Sequence, residues 1–325
     1  MITPETHDLL VLLYVFCTCL GACIGSFSNV VIYRVPNHKS IVFPPSACPT
    51  CGHKIKPYDN IPILSWLILR GKCRNCKSKI SIQYPIIESV CAIFGFYLCY
   101  ATFGTNADAL FLDGVFWRLF VHFFGMLIFS VTCLILAVID IQKTEIPPEI
   151  ALPISALGVG LSFVLPMTYP FDHLVGNITW IDSLLGVGIG AAVVVLIIAG
   201  YYLVTKRIGM GGGDIWILMM IGAFLGWQSL PFIFLASSLQ GIIAALIAIA
   251  CGKKQQNDTQ QGLFRNDVAN ELNDTPLPES NAKLAIPYGP FLALAAVEYI
   301  VFGPYVLPFI SGGTLSPWGF SVPWG

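Results

Sequence analysis

The chain has 325 residues, of which 56% are hydrophobic and only 11% charged, and its mean hydropathy is +0.76. A soluble domain carries about 25% charged residues, so a soluble globule, a disordered chain and a coiled coil are excluded and a polytopic membrane protein is indicated. The net charge of −1, from 17 Lys+Arg against 18 Asp+Glu, leaves no basic footprint for nucleic acid.

Apolar stretches near the ~20 residues needed to cross a bilayer recur at 9–33, 84–103, 114–139, 148–166, 181–205, 214–229, 231–251 and 285–308. Backbone groups in lipid must be satisfied within the segment, so these read as about eight transmembrane helices of an all-α protein. No Lys or Arg precedes the first span, whereas Glu5 and Asp8 do, so it does not read as a cleaved signal peptide. Nine of the 17 cations fall between Arg34 and Lys79, with Asp59 the only acid there. By the positive-inside rule that segment is cytoplasmic and the N-terminus periplasmic. Alternating eight spans then leaves only Arg118 of the 17 cations on the outer side. Three parts follow: a first helix (1–33), a polar module (34–83) and a membrane domain (84–325). Within the last, 252–284 is rich in Gln, Asn and Asp and reads as a flexible cytoplasmic loop.

Seven of the eleven cysteines (Cys17, Cys19, Cys23, Cys91, Cys99, Cys133 and Cys251) lie in or beside apolar runs and read as small hydrophobes. The other four form Cys48-Pro49-Thr50-Cys51 and Cys73-Arg74-Asn75-Cys76, with 21 residues between the pairs. Each pair can wrap a metal ion as a tight knuckle, and four thiolates suit tetrahedral Zn²⁺ in a structural role, with no position left open for water. The competing readings are two redox pairs or free thiols, and a reducing cytoplasm disfavours disulfides. His53, beside the first knuckle, reads as a surface residue.

Charge near a bilayer core is costly and marks candidate sites. Asp140 ends the third span and Asp214 begins the sixth, after Gly211-Gly212-Gly213. Both fall at the same membrane face, so two carboxylates from different helices could meet there. Such a pair shares a proton; its ionised member can take a proton from water while the other polarises a peptide carbonyl. The three glycines would let an extended substrate backbone approach. The plainer readings are a helix cap for Asp214 and an interfacial pairing with Lys143 for Asp140. Glu88 starts the second span and Glu298 lies well inside the eighth, where a structural role is expected. Asp108, Asp113, Asp172 and Asp182 read as solvated outer-loop acids.

Taken together, these residues resemble the bacterial type IV prepilin peptidases, the leader peptidase/N-methyltransferase family, over nearly the whole chain. The resemblance lies in Gly25-Ser26-Phe27-Ser28-Asn29-Val30-Val31-Ile32-Tyr33-Arg34-Val35-Pro36, in Pro44-Pro45-Ser46-Ala47-Cys48-Pro49-Thr50-Cys51, and in Asn60-Ile61-Pro62-Ile63-Leu64-Ser65-Trp66-Leu67. It continues through Arg70-Gly71-Lys72-Cys73, Tyr84-Pro85-Ile86-Ile87-Glu88, Asp140 before Ile146-Pro147, Gly211-Gly212-Gly213-Asp214 and Ile286-Pro287-Tyr288-Gly289-Pro290-Phe291. The resemblance implies a GxGD aspartic membrane peptidase of the inner membrane with Asp140 and Asp214 catalytic. Its substrates would be type IV prepilins or type II secretion pseudopilins, cut at the cytoplasmic face after a short basic leader. It also implies methylation of the new N-terminus by S-adenosylmethionine, with Gly71 and Lys72 matching family positions beside the third cysteine. No strand–GxGxxG–helix unit exists to cradle that cofactor. The chain departs from the family at Trp216, where Lys is usual, at Glu149, where Asp or Asn is common near Ile-Pro, and in the length of 252–284. Two other readings stay open: a peptidase-only relative, and a non-enzymatic zinc-binding scaffold or transporter.

Overall fold

The structure is a computed structural model and describes residues 4–105, 115–164, 178–205, 212–250 and 287–310. The described residues form nine α-helices: α1 (Pro4–Arg34), α2 (Leu64–Ile68), α3 (Gln83–Cys99), α4 (Val115–Lys143), α5 (Pro148–Val164), α6 (Trp180–Thr205), α7 (Asp214–Leu225), α8 (Leu230–Ala250) and α9 (Gly289–Ile310). Two isolated bridges, Ala47 with Lys54 and Lys72 with Lys79, pair extended backbone in the segment between α1 and α3. Gly211, Cys251, Asp108, Asp113, Asp172 and the 252–284 loop lie outside the described residues.

Five helices are long and apolar enough to cross a membrane: α1, α3 with its continuation to Gly104, α4, α6 and α8. Helices α5 and α7, and α9 over Gly289–Phe302, are apolar but shorter. The shortfall is largest at α7. The span expected at 214–229 stops at Leu225, because Gly226 (φ +72°) turns the chain into a 3₁₀ turn at Trp227–Ser229. Twelve residues reach only about 18 Å. Helix α7 tolerates that length because it is wrapped in protein: Ile217, Leu218, Met220, Ile221, Ala223, Phe224 and Leu225 are wholly buried, against α5 and α6.

Helix α1 packs on α3, α6 on α7, α5 on α7, and α9 on α4 and α8. With lipid outside, such contacts rest on close backbone approach at small residues rather than on a hydrophobic drive. Gly186 of α6 and Gly222 of α7 meet backbone to backbone, so that a Cβ on either would fall on the other's carbonyl. Beside them, Ser183 Oγ donates to the Ala223 carbonyl (2.6 Å). Asp182, expected to be solvated, is instead a junction. It accepts from Trp227 Nε1 (3.1 Å) and Gln228 Nε2 (2.8 Å), and from the backbone N–H (3.0 Å) and hydroxyl (2.6 Å) of Thr179. It thus pins the α7–α8 turn to the start of α6.

Gly222→Ala should lower the thermal midpoint in detergent by several degrees, the overpacking cost being about 1–3 kcal/mol. Gly188→Ala on α6, where nothing lies within 4 Å of the new Cβ, should be neutral. Equal midpoints for the two variants would contradict the close α6–α7 seam.

Candidate active site and metal centre

Asp140 lies in the last turn of α4, which runs on to Lys143 rather than stopping at 139. The chain then turns at Thr144, whose N–H donates to the Asp140 carbonyl (2.8 Å), and Pro147-Pro148 opens α5. Asp214 is the first residue of α7. Both carboxylates are buried, at 6% and 7% exposure, and close enough to interact electrostatically. The helix-cap reading of Asp214 does not hold, since the cap position is Gly213 and no side chain caps the helix. Nor does Lys143 pair with Asp140: among the described residues the ion pairs are His7–Asp8 and Arg74–Asp59.

The partner of Asp140 is instead the backbone of Gly289, the first residue of α9, whose N–H donates to Oδ2 at 3.0 Å. A helix N-terminus presents unsatisfied N–H groups and a positive dipole end, so a carboxylate is favoured there. A Cβ at residue 289 would come within 2.6 Å of the same oxygen, so glycine is required for the approach. Ile146, buried at 6%, wedges beneath both arms of the site: it would face a Cβ on Gly289 at 3.0 Å and one on Gly213 at 3.2 Å. Of the glycines before Asp214, Gly213 is therefore a packing position, while Gly212 faces open space. Trp216, at the position where Lys was expected, is partly buried against the core. Glu298 accepts a hydrogen bond from Gln240 Nε2 (2.6 Å), a tie between α8 and α9.

The four paired cysteines come together, their sulfurs all within 4.8 Å of one another. A zinc tetrahedron with Zn–S bonds of about 2.3 Å has edges of about 3.8 Å, and Cys48 Sγ lies 3.8 Å from Cys76 Sγ. The two knuckles repeat one backbone pattern. Cys48 N–H donates to the His53 carbonyl (3.0 Å) and Gly52 N–H to the Cys48 carbonyl (2.9 Å); Cys73 N–H donates to Ser78 (2.8 Å) and Lys77 N–H to Cys73 (3.1 Å). The residue after the second cysteine is left-handed in each, Gly52 at φ +68° and Lys77 at φ +60°. The backbone N–H groups of Cys51 and Thr50, and then the Ser78 hydroxyl, stabilise the Cys48 thiolate and lower its pKa to about 6. Ser78 also lowers the Cys76 thiol. Thiolates are what a zinc site requires, and the four-sulfur donor set fits a structural Cys₄ zinc. Arg74 clamps Asp59 through Nε and Nη2 (2.6–3.0 Å), which holds the Pro57–Asp59 turn to the second knuckle and keeps the Asp59 carboxyl below its ordinary value.

Gly71 and Lys72 each have a local structural role. Gly71 is left-handed (φ +65°), and its missing Cβ makes room for the Trp66 indole. Lys72 joins Lys79 in a backbone bridge. Sequence reasoning left Glu88 without a role. Its Oε2 accepts the Ile63 N–H (2.7 Å), tying α3 to the start of α2.

Full-length protein purified without added metal should carry about one zinc per chain, and Cys48→Ser or Cys73→Ser should lose most of it by elemental analysis. Zinc content unchanged by both substitutions would exclude the Cys₄ centre.

Residues 19–103 match the bacterial Peptidase A24 N-terminal domain, which takes in all four knuckle cysteines. Residues 127–246 match the type IV leader peptidase family and include both buried aspartates. The chain is similar to proteins named prepilin leader peptidase/N-methyltransferase. It is 31% identical to that of Myxococcus xanthus over 90% of this chain and 91% of the relative. It is 30% identical to that of Pseudomonas aeruginosa over 91% and 92%, and 33% identical to that of Neisseria gonorrhoeae over 70% and 79%. No solved structure matches it. With both matches falling on the segments that carry the cysteine cluster and the two carboxylates, the chain belongs to the type IV leader peptidase family.

Proposed function

We propose that this protein removes the leader from type IV prepilins or type II secretion pseudopilins, using Asp140 and Asp214 as an aspartic dyad. The observation that carries the reading is the meeting of two buried carboxylates from different helices, one held by the N-terminus of a third. Eight spans, with an N-terminus outside and the dyad at the cytoplasmic face of the inner membrane, complete the reading. A substrate whose mature part is itself a transmembrane helix then presents its cleavage point at that depth.

In this reading the two carboxylates share one proton. The ionised member accepts a proton from water as the water oxygen bonds to the scissile carbonyl carbon. The protonated member donates to the carbonyl oxygen, which becomes a hydroxyl. When the tetrahedral intermediate collapses, the C–N bond breaks, the leaving amine takes a proton from one carboxyl, and one hydroxyl of the intermediate returns its proton to the other, so that a carboxylic acid is released and the dyad again holds one proton. The Gly289 N–H and the Ile146 wedge fix the Asp140 side chain throughout. The open flank at Gly212 is where an extended strand could lie against the site.

N-methylation of the new N-terminus comes from the names of the relatives. S-adenosylmethionine supplies an electrophilic methyl group for such a reaction.

In membranes containing a prepilin, Asp140→Asn and Asp214→Asn should each reduce cleavage by about 10²–10⁴-fold with zinc content unchanged. Gly289→Ala should reduce it by about 10²-fold, because a shift of ~1 Å in a positioned group costs that much. Full processing by both Asn variants would sink the dyad.

A further inference from the structure

The module between α1 and α3 does not hang beyond the helix ends but lies back along their flanks. A cavity of about 260 Å³ separates the two. One wall is a single face of α1 (Cys23, Ser26, Phe27, Val30 and Arg34), and the other is the 41–46 loop with Asn60. Cys23 precedes the last residue of α1, Arg34, by eleven positions, or about 16 Å along the helix. The loop therefore faces the last three turns of α1, which belong to its apolar span. A second tie also falls inside a helix rather than at its end. Glu88 sits five residues into α3, about 7.5 Å past its first residue, and accepts the Ile63 N–H at the start of α2. Arg34 anchors the loop from the other side, donating to the carbonyls of Ser40 (2.9 Å) and Pro44 (2.6 Å).

At that level the module exposes large apolar side chains. In the loop these are Ile41, Val42 and Phe43, the last at 73%. On α2 they are Leu64, Leu67 and Ile68, the last at 72%. A water-facing module has no reason to expose two such groups in concert. Lys39, Arg70 and Lys72, all exposed, neighbour the same two segments, and the one acid of the module is consumed by Arg74. Apolar side chains rimmed by cations are the pattern of an element seated at the boundary between headgroups and acyl chains.

We infer that the 41–43 loop and α2 are buried in the interfacial layer of an anionic bilayer, so that the cysteine module is a membrane-seated element whose cavity against α1 lies at the edge of the lipid. This goes beyond the peptidase reading and rests only on α1 and α3 crossing the bilayer. The occupant is lipid, present whether or not a prepilin is bound.

The test places an environment-sensitive fluorescent amino acid at position 43, 68 or 12 of the full-length, zinc-loaded chain. Leu12 is a lipid-facing control on α1, exposed at 67%. Each variant is reconstituted in phosphatidylethanolamine/phosphatidylglycerol vesicles whose acyl chains are brominated near the headgroup. Quenching at 43 and 68 within about twofold of that at 12, with no prepilin present, is the expected result. Quenching at 12 alone overturns the inference and leaves the spans intact. No quenching at any of the three removes the bilayer placement and the inference with it. A signal at 43 and 68 that changes only when a prepilin is added assigns the surface to substrate and also overturns it.

Discussion

The hydrogen bond from the Gly289 N–H to Asp140 is the contact on which the arrangement of the membrane domain turns. It joins residues 149 apart in sequence and fixes the start of α9 against the end of α4. Ile146 then fills the space below and carries that register across to Gly213 and Asp214. Three chain segments with no local relation are held together by one N–H, one glycine and one β-branched side chain. Each has its own part: the N–H supplies the polar partner, the glycine leaves the approach open, and the isoleucine packs against both Gly289 and Gly213. An unpaired carboxylate at this depth would carry a large desolvation cost.

The short α7 follows from the same constraint. A helix that carries a carboxylate at its first residue cannot also face lipid there, so α7 is enclosed by α5 and α6. Enclosure frees it from the length a bilayer demands, and Gly226 ends it early. The Gly186–Gly222 contact and the Asp182 junction at the far end hold it at its lower end. A rigid α7 matters because, among the described residues, no ion pair holds Asp214 in place.

Much of this was legible from sequence, for identifiable reasons. The apolar runs located eight helices, five of them long enough to cross a bilayer, to within about five residues, since an unbroken run of hydrophobic side chains is a local signal. The C-x2-C spacing gave the knuckles, because a knuckle closes within six residues and its left-handed corner favours Gly52. Counting spans put Asp140 and Asp214 at one membrane face, where two carboxylates from different helices could meet. Contacts between distant segments were not legible. Nothing near Glu88 in the sequence points to Ile63, and nothing near Asp182 points to Trp227 and Gln228. Lys77 occupies the same left-handed corner as Gly52 without being glycine, so residue type alone would have missed it.

The two functional regions are also joined to each other. Gln142 Nε2, in the last turn of α4, donates to Gln83 Oε1, the first residue of α3, at 2.9 Å. The end of one helix and the start of the other are therefore at one level, with Asp140 two residues (about 3 Å) from Gln142 and Glu88 five residues (about 7.5 Å) from Gln83 along their helices. Glu88 holds the module and Asp140 belongs to the buried pair, so the cysteine cluster's scaffold and the carboxylates are linked through this one contact. A displacement of α3 along its axis would move both the module's Ile63 anchor and the Gln83–Gln142 tie. The close glycine contacts of α1 with α3, at Gly21, Gly25 and Gly95, oppose that displacement by leaving no slack between the two backbones. Mechanical coupling between the module and the membrane domain thus runs through backbone packing of α1 on α3, and the polar ties at Glu88 and Gln142 set its register.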